Sequence, residues 1–423
     1  MHRRTTARTI TAALAILAPG LANASGFQLL EQNASGLGNA YAGSAAVAEN
    51  ASTIYFNPAG MTQLRGTQVS GGITRVDASY EFHDQGSSAG TFTGTGDGVD
   101  GGQAGNIPNF YVSSELGGGY YAGIGFGAPF GLKTQYQVPW AGAAQSTLFK
   151  IESLNINPSL AYKIDEHFSV GGGIDYQQFK ARYERQASTL SAFSLSSDAV
   201  ALQADDHAWG WNVGALWQVS NDTRLGFSYR SKLDYHLTGD LQASGPTAAL
   251  LAANTGPASA NLTVPDTFIL SAVQKLGDRW EMLGDISRTR WSRIKSVEIK
   301  LDNTNAIAQR LDANFRDTWR VALGTNYKLS DEWKLKTGIG YDQGVAKSAE
   351  DRLTSLPDSD RNWLSLGAQW ASTKSLTLDG GLSYIALHNA PINNDQRPAN
   401  RGLVSGGYDG HITILGVQAS YAF

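Results

Sequence analysis

Apolar and polar residues alternate with a period of two over long stretches of the chain. Between positions 319 and 327 the odd positions hold Trp, Val, Leu, Thr and Tyr, whereas the even positions hold polar or small residues. The same alternation begins at Phe168, Trp209, Leu335 and Leu376. Because successive side chains of a β-strand point to opposite faces, this period predicts strands with one apolar face. Such strands could form a secreted β-sandwich or a transmembrane β-barrel.

Two further features favour the barrel. Aromatic residues lie at the ends of the apolar faces, as expected for rings that prefer the lipid headgroup region. Short polar turns with Asp165, Asp222, Asp278 and Asp331 recur at intervals of 57, 56 and 53 residues. Two strands of about 10 residues and one short turn use only about 25 residues, so each interval also holds one long loop. Short turns at one end and long loops at the other are typical of an outer-membrane barrel.

The alternation predicts fourteen antiparallel strands, an even number that suits a closed bacterial barrel. They lie near residues 67–76, 106–113, 120–127, 152–163, 168–182, 206–219, 223–236, 263–275, 280–292, 314–328, 333–343, 361–371, 375–387 and 411–423. The last strand must pair with the first, because no unpaired backbone edge survives in lipid. That strand alternates up to Phe423, which resembles the assembly signal of Gram-negative outer-membrane proteins.

The first 24 residues have the features of a secretory signal peptide. Three arginines precede an apolar stretch from residue 10 to 21, and Ala22-Asn23-Ala24 supplies the small residues of a cleavage site. The apolar stretch is shorter than the roughly 20 residues that a membrane-spanning helix needs. We therefore expect export, cleavage after Ala24 and no membrane-spanning helix in the mature chain.

Residues 25–66 show no alternation and are rich in Ala, Gly and Ser. Irregular backbone is tolerated at membrane depth where it is shielded from lipid, so this segment could fill the barrel lumen as a hatch. Asn57, Pro58 and Ala59 form a rigid turn near its end, since proline fixes its own φ and restricts the preceding residue. A flexible periplasmic arm is the alternative, although disordered arms are seldom so poor in charge. The expected segments are a signal peptide at 1–24, a hatch at 25–66 and a barrel at 67–423.

Composition narrows the function classes. The chain has 48 Gly, no Cys, 17% charged residues and a formal net charge of -4. The lack of Cys excludes a disulfide scaffold, thiolate metal sites and Cys nucleophiles. The slightly acidic charge gives no basic face for nucleic acid, and the histidines show no metal-ligand spacing. We therefore expect no cofactor, no metal, no nucleic-acid partner and no enzymatic activity.

Motifs in the hatch and in several strands resemble one family. Residues 25–43, followed by Asn57-Pro58-Ala59, are similar to the start of the outer-membrane long-chain fatty acid transporter family (FadL), which also contains aromatic-hydrocarbon channels. The similarity continues in the strand motifs at 316–324, 336–342 and 357–365. It implies a fourteen-stranded barrel with an N-terminal hatch, in agreement with the strand count. It also implies that a hydrophobic substrate moves from an outer groove to an inner pocket and leaves sideways through a gap at a kinked third strand.

The resemblance also implies substrate-binding residues. Phe27 should reach the apolar pocket, and Lys180 or Arg182 should meet a substrate carboxylate. A carboxylate entering an apolar cavity needs a cationic or hydrogen-bonding partner to offset its desolvation. However, the parity of Val170 and Tyr176 puts residues 180 and 182 on the outer face unless a bulge intervenes.

The third predicted strand contains signals for a local break. Pro129 lacks a backbone N–H, and the glycines at 127 and 131 favour distortion of the strand. These residues are compatible with a lateral opening at Pro129, Phe130 and Gly131, or with a strand that simply ends at Pro129. The family resemblance favours the opening.

We therefore expect passive transport of hydrophobic compounds, long-chain fatty acids first, in the outer membrane of a Gram-negative bacterium. The alternatives are an aromatic-hydrocarbon channel of the same family, a general porin or adhesin barrel, and a barrel hydrolase acting on lipids. The expected partners are a hydrophobic small molecule, outer-membrane lipid and lipopolysaccharide, with the chain acting as a monomer. An aromatic-hydrocarbon channel would not need a cationic partner such as Lys180 or Arg182.

Overall fold

The computed structural model describes residues 26–88, 97, 99–187, 198–246 and 248–423, so the expected signal peptide lies outside the described residues. The chain forms one continuous antiparallel sheet that closes into a barrel of fourteen strands, in which each strand pairs with its neighbours along the sequence. The strands are β1 Thr67–Asp84, β2 Ala104–Gly117, β3 Tyr120–Gly127 with Gly131–Gln135, β4 Leu148–Lys163, β5 Phe168–Gln186, β6 Ala199–Gln218, β7 Thr223–Arg230 with Leu233–Ser244, β8 Gly256–Val264 with Thr267–Leu276, β9 Trp280–Thr289 with Ser296–Leu301, β10 Ile307–Asp312 with Thr318–Lys328, β11 Trp333–Asp342, β12 Arg361–Ala371, β13 Leu376–Leu387 with Ala390–Asp395, and β14 Leu403–Ala422. A short strand, Val99–Asp100, pairs with β1.

The first and last strands close the barrel. Their pairing runs without a break from Gln68 opposite Ala422 to Asp84 opposite Gly406. Closure gives each of these two end strands a partner on both sides, which matters because a backbone group without a partner in lipid costs several kcal/mol. The prediction of a fourteen-stranded barrel is confirmed. Among the described residues, no helix is long and apolar enough to cross a membrane.

Several strands extend beyond the predicted limits on the side of the long loops. β1 continues to Asp84 instead of 76, β6 begins at Ala199 instead of 206, and β14 begins at Leu403 instead of 411. The predicted boundaries were wrong there for a physical reason. Beyond the apolar band both faces of a strand can be polar, so the alternation fades while the backbone pairing continues.

Two aromatic girdles border the apolar band. Near the short turns the rings of Tyr120 and Tyr162 are 4.7 Å apart, and other pairs follow around the barrel, namely Phe168–Trp217, Trp280–Tyr327 and Trp333–Trp370. The second girdle contains Tyr176–Trp209, Trp211–Tyr229 and Tyr229–Phe268. Phe168 and Tyr176 belong to different girdles on β5, eight residues apart, which is about 26 Å along a strand. That separation suits an apolar band about 25 Å tall.

The segment before β1 lies inside the barrel as a hatch, and from Phe27 to Thr62 its residues are buried or half-buried. Its regular elements are a short α-helix, Thr53–Phe56, and two 3₁₀ turns, Leu37–Asn39 and Pro58–Gln63. The Asn57 amide accepts a 3.0 Å hydrogen bond from Ala59 N and donates one of 3.0 Å to the wall at Ala215 O. The irregular segment is therefore a plug and not a periplasmic arm. In the part of the chain that the structure describes, three further 3₁₀ turns lie outside the hatch, at Ala248–Asn254, Trp291–Arg293 and Arg397–Ala399.

Inward-facing glycines let the hatch backbone touch the wall. A Cβ atom on Gly226 of β7 would lie 2.1 Å from Ala45 O, and one on Gly214 of β6 would lie 2.0 Å from the Asn57 side-chain oxygen. Real Cβ atoms do not approach so closely, so only glycine fits at these positions. Part of the high glycine content therefore serves hatch packing and not backbone flexibility.

Buried ion pairs also fasten the hatch to the wall. The Lys336 ammonium on β11 is 3.1 Å from Glu49 of the hatch, 3.1 Å from Asp379 on β13 and 3.0 Å from the Ser35 carbonyl oxygen. Burial by itself would raise the pKa of Glu49, but Lys334 and Lys336 hold that pKa well below its usual range. A buried charge that keeps its partners is stable, whereas removing one partner leaves an uncompensated charge.

The glycine contacts predict a specific effect on conductance. Gly226→Val places a branched side chain against Ala45, so we expect the hatch to loosen and single-channel ion conductance in planar bilayers to rise several-fold. Gly284→Val is the matched control, because a Cβ on Gly284 would have its nearest neighbour 3.8 Å away, at Leu323. Equal conductance of the two variants would contradict the proposed packing role of Gly226.

Candidate functional site

The third strand of the barrel is interrupted at residues 128–130. Before the break Phe126 pairs with Phe110 of β2, whereas after it Gly131–Gln135 pair only with β4. Residues 104–109 of β2 pair with β1 and have no partner in β3. The wall therefore lacks interstrand hydrogen bonds between this part of β2 and the second half of β3. On the loop side of the gap, Gln135 N donates a 2.9 Å hydrogen bond to Gly101 O and links β3 again to the chain segment before β2.

The start of the hatch covers the inner side of this break. Leu29 N donates to Pro129 O at 2.8 Å, and Gly131 N donates to Phe27 O at 3.0 Å. Phe130 N donates to the Ser153 hydroxyl at 2.9 Å, and that hydroxyl donates back to Phe130 O at 2.7 Å. The residues predicted for the opening, 129 to 131, thus all lie at the break, and their backbone groups have partners other than β2.

A cavity of about 560 Å³ lies at the gap. Its inner boundary includes Phe27 and Glu31 of the hatch and Trp363 of β12, and its outer boundary includes Pro108 of β2 and Leu154 of β4. Leu154 belongs to the lipid-facing side of the wall and is 51% exposed. The cavity therefore extends from the lumen to the outer face of the barrel.

A second, apolar cavity of about 80 Å³ lies in the lumen on the side of the long loops. Strands β4 to β10 supply its lining, which includes Phe149, Phe179, Leu202, Leu237, Leu262 and Phe315. Phe27 lines both cavities and makes edge-to-face contacts with Phe130, Phe179 and Trp291, with ring centroids 5.8, 6.3 and 4.8 Å away. Its aromatic ring therefore stands between the apolar cavity and the gap.

The long loop between β11 and β12, residues 343–360, folds into the barrel and covers the apolar cavity. Leu353 and Leu356 contribute to the cavity lining. The loop is held from the opposite wall, where Thr134 Oγ1 donates to Ser355 O at 3.0 Å and the Tyr136 hydroxyl donates to Thr354 O at 2.8 Å. Nothing in the alternation of the sequence distinguishes this loop from one exposed to solvent.

Lys180 and Arg182 point away from both cavities. β5 pairs with β4 and β6 without a bulge between Tyr176 and Gln186, so the period of two is maintained. Lys180 is exposed on the outer face, and Arg182 forms an ion pair there with Glu184. The structure does not bring these two cations to the lumen, and the parity argument explains why.

Two other arginines lie next to residues that line the apolar cavity. Arg185 continues the inward parity of Phe179 and Tyr183, and its Nε donates to Gln309 at 3.2 Å. Among the described residues, Arg185 forms no ion pair with an acidic residue. Arg316 follows Phe315, donates to Gly344 O at 2.9 Å and has a buried Nη2 without a hydrogen-bond partner. Extending the parity of β5 by one more step would have identified Arg185 from the sequence.

Carboxyl groups near the gap titrate close to neutral pH. Burial raises the pKa of Glu31 to about 7, against the opposing effect of Arg361 and Arg320. Burial likewise raises the pKa of Asp358 in the folded-in loop to about 7, although Arg361 lies 3.6 Å away. No group of three or more potential metal ligands occurs in the part of the chain that the structure describes.

The chain is similar to known outer-membrane proteins. The family described as "Outer membrane protein transport protein (OMPP1/FadL/TodX)" matches residues 15–423. Outer membrane protein P1 of Haemophilus influenzae is 29% identical and covers 98% of this chain and 99% of its own length. The long-chain fatty acid transport protein of Escherichia coli O6:H1 is 28% identical over 94% of both chains.

The fold comparison agrees. The crystal structure of a Pseudomonas aeruginosa FadL homologue superposes with a TM-score of 0.87 at 22% sequence identity, covering 94% of this chain and 99% of its own. The predicted outer-membrane location and the predicted family are confirmed. The chain is an outer-membrane protein and belongs to the OMPP1/FadL/TodX family of transport proteins.

Proposed function

We propose that this protein carries long-chain fatty acids passively across the outer membrane and releases them sideways through the gap between β2 and β3. The observation that carries the proposal is the 560 Å³ cavity, which reaches the lipid-facing wall where interstrand hydrogen bonds are missing. The similarity to proteins named long-chain fatty acid transport protein supports the substrate class. The family of transport proteins also supports a chain without enzymatic activity.

Sideways exit suits an apolar substrate. Moving hydrocarbon from water into lipid lowers its free energy by roughly 25 cal/mol for each Å² buried. The hatch fills the lumen on the side of the short turns, below the cavities. In the proposed path the substrate enters the apolar cavity from the loop side and displaces the Phe27 ring. This displacement joins the apolar cavity to the cavity at the gap. The substrate then passes Pro129 into the membrane. The rest of the hatch, which is proposed to span 25–66, stays in place throughout.

Arg185 and Arg316 are the proposed partners of the substrate carboxylate, in place of Lys180 and Arg182. Both lie beside aromatic residues of the apolar cavity, and in the described part of the chain neither guanidinium group has a carboxylate within ion-pair distance. A charge-assisted hydrogen bond offsets the cost of bringing a carboxylate to this place. An aromatic hydrocarbon has no group for these arginines, so they favour a fatty acid over the alternative substrate.

Replacing Arg185 separates the two substrate classes. We expect Arg185→Gln to weaken binding of a C16 fatty acid to the purified protein on the order of tenfold or more, because a hydrogen bond to a charged group is lost. Toluene binding should stay unchanged. Lys180→Gln, on the outward face of the same strand, is the matched control and should bind the fatty acid normally. Equal loss in the two variants, or loss of toluene binding as well, would refute the assigned role.

Blocking the gap tests the exit path. Gly105 of β2 lines the cavity, and a Cβ atom there would meet open space. We expect Gly105→Trp to fill the gap and reduce fatty acid uptake to near the level of cells without the protein, while binding to purified protein persists. Gly380→Trp on β13, where a Cβ also meets open space, is the control. Normal uptake by the Gly105→Trp variant would instead indicate release down the lumen past the hatch.

We propose further that the protein works as a monomer surrounded by outer-membrane lipid and lipopolysaccharide. A single barrel contains the apolar cavity, the gap and both arginines, so one chain suffices for the proposed path. The filled lumen argues against a general porin, which would need an open aqueous channel.

A further inference from the structure

We propose that the outer wall of β7, β8 and β9 binds the phosphorylated sugar headgroup of lipopolysaccharide, the anionic glycolipid of the outer leaflet. Two adjoining features form this headgroup site. The first is a cluster of five cationic side chains, Lys232, Arg288, Arg290, Arg293 and Lys295. The second is a polar groove of about 280 Å³ on the side of the long loops.

The cationic cluster keeps a net positive charge after its ion pairs are counted. Arg288 pairs with Asp317 at 2.8 Å, and Arg290 and Arg293 share the buried carboxylate of Asp266 at 3.3 and 2.5 Å. Lys232 pairs with Asp234, so among the described residues three carboxylates form ion pairs with the five cationic groups. Arg288 and Arg290 are nearly half exposed on the outer surface. The cluster can therefore accept an anion from outside the barrel without releasing a protein carboxylate.

The position of the cluster matches that of lipid phosphates. The Arg288 guanidinium lies 5.3 Å above the Trp319 ring, and the Tyr229 hydroxyl of the loop-side girdle is 3.5 Å from Asp266. Tyr229 in turn contacts Phe268, whose ring faces the lipid. The charges thus begin where the apolar band ends, which is the depth of the headgroups in the outer leaflet.

The groove lies directly beyond the cluster and has a structural cause. β8 and β9 share only three residue pairs here, from Ala258–Leu301 to Ala260–Ile299, because the 3₁₀ turn Trp291–Arg293 separates the two strands below. The wedge between them is lined by His236, Ser259, Asn261, Ser296, Glu298 and Lys300.

The chemistry of the groove suits sugar and not acyl chains. Hydroxyl, amide and imidazole groups both donate and accept hydrogen bonds, as sugar hydroxyls require. Thr263 donates a 2.6 Å hydrogen bond to Asp234. Asp234 lies two positions before His236 on its strand and Thr263 lies two positions after Asn261 on the antiparallel neighbour, so groove and cluster are continuous. A glycerophospholipid would occupy the cluster and leave the groove unused, which makes a glycolipid the better match.

The test measures lipid binding to the delipidated full chain by native mass spectrometry. The probes are bisphosphorylated lipid A with its inner-core sugars, the same glycolipid without phosphates, and phosphatidylglycerol. We expect the Arg288→Gln/Arg290→Gln variant to bind the phosphorylated glycolipid about tenfold or more weakly, in line with the loss of two surface cations. Arg293 is retained so that buried Asp266 keeps a partner.

Arg279→Gln is the matched control, because Arg279 lies next to the opposite girdle and donates to the Tyr327 hydroxyl at 3.3 Å. It should bind the glycolipid normally. Fatty acid binding should remain intact in every variant, which distinguishes failure of this site from failure of the transport proposal. Unchanged binding by the double variant, equal loss in Arg279→Gln, or equal affinity for the glycolipid without phosphates would each overturn the cluster as a phosphate site.

A second variant tests the groove. We expect Asn261→Trp to fill it and to abolish the preference for the phosphorylated glycolipid over phosphatidylglycerol, with phosphatidylglycerol binding unchanged. If the preference persists in that variant, or if the unmodified protein binds the two phosphorylated lipids equally, the groove does not bind sugar.

Discussion

The structure depends on one constraint, that backbone N–H and C=O groups facing hydrocarbon need partners inside the protein. A group without one costs several kcal/mol, so a sheet in lipid must close on itself. The long pairing of β1 with β14 meets that demand. A gap in the wall then costs free energy unless other groups replace the missing interstrand hydrogen bonds. At the break in β3 they do, because Pro129 has no N–H to satisfy and the Ser153 hydroxyl serves both backbone groups of Phe130.

The same constraint explains why the hatch and the wall belong together. The hatch is irregular, so its backbone groups need many separate partners, and the inner wall supplies some of them through Arg224 and Lys336, which donate to the carbonyl oxygens of Ala46 and Ser35. Glycines on the inward faces allow this close approach, and Gly226 and Gly214 mark the tightest contacts. In turn, Leu29 and Phe27 supply hydrogen bonds to the broken strand. Hatch and gap are therefore parts of one hydrogen-bonded arrangement.

Apolar and charged residues are also separated on the outside of the barrel. Aromatic pairs set the limits of the apolar band, and the charges begin one step beyond them, at Arg288 and Arg290. Inside, the apolar cavity lies on the side of the long loops, where its lining is almost entirely hydrophobic. A fatty acid crossing this protein would thus pass from a polar surface through an apolar cavity to lipid without exposing its chain to water for long.

The sequence by itself determined the strand number, the closed antiparallel barrel and the existence of a plug, because alternation and composition are local properties that each segment carries on its own. It also indicated that residues 180 and 182 face outward, since parity needs only an unbroken strand. The same parity argument places Arg185 on the inward face, but tertiary structure decided how the rest of the candidate site comes together. Arg185 and Arg316 come from β5 and from the end of the loop before β10's second segment, and the folded-in loop at 343–360 reaches the cavity through contacts with Thr134 and Tyr136. Such convergence depends on how far the strands are staggered around the barrel and on which loop enters it, and long-range pairing and packing set both, not any pattern within one segment.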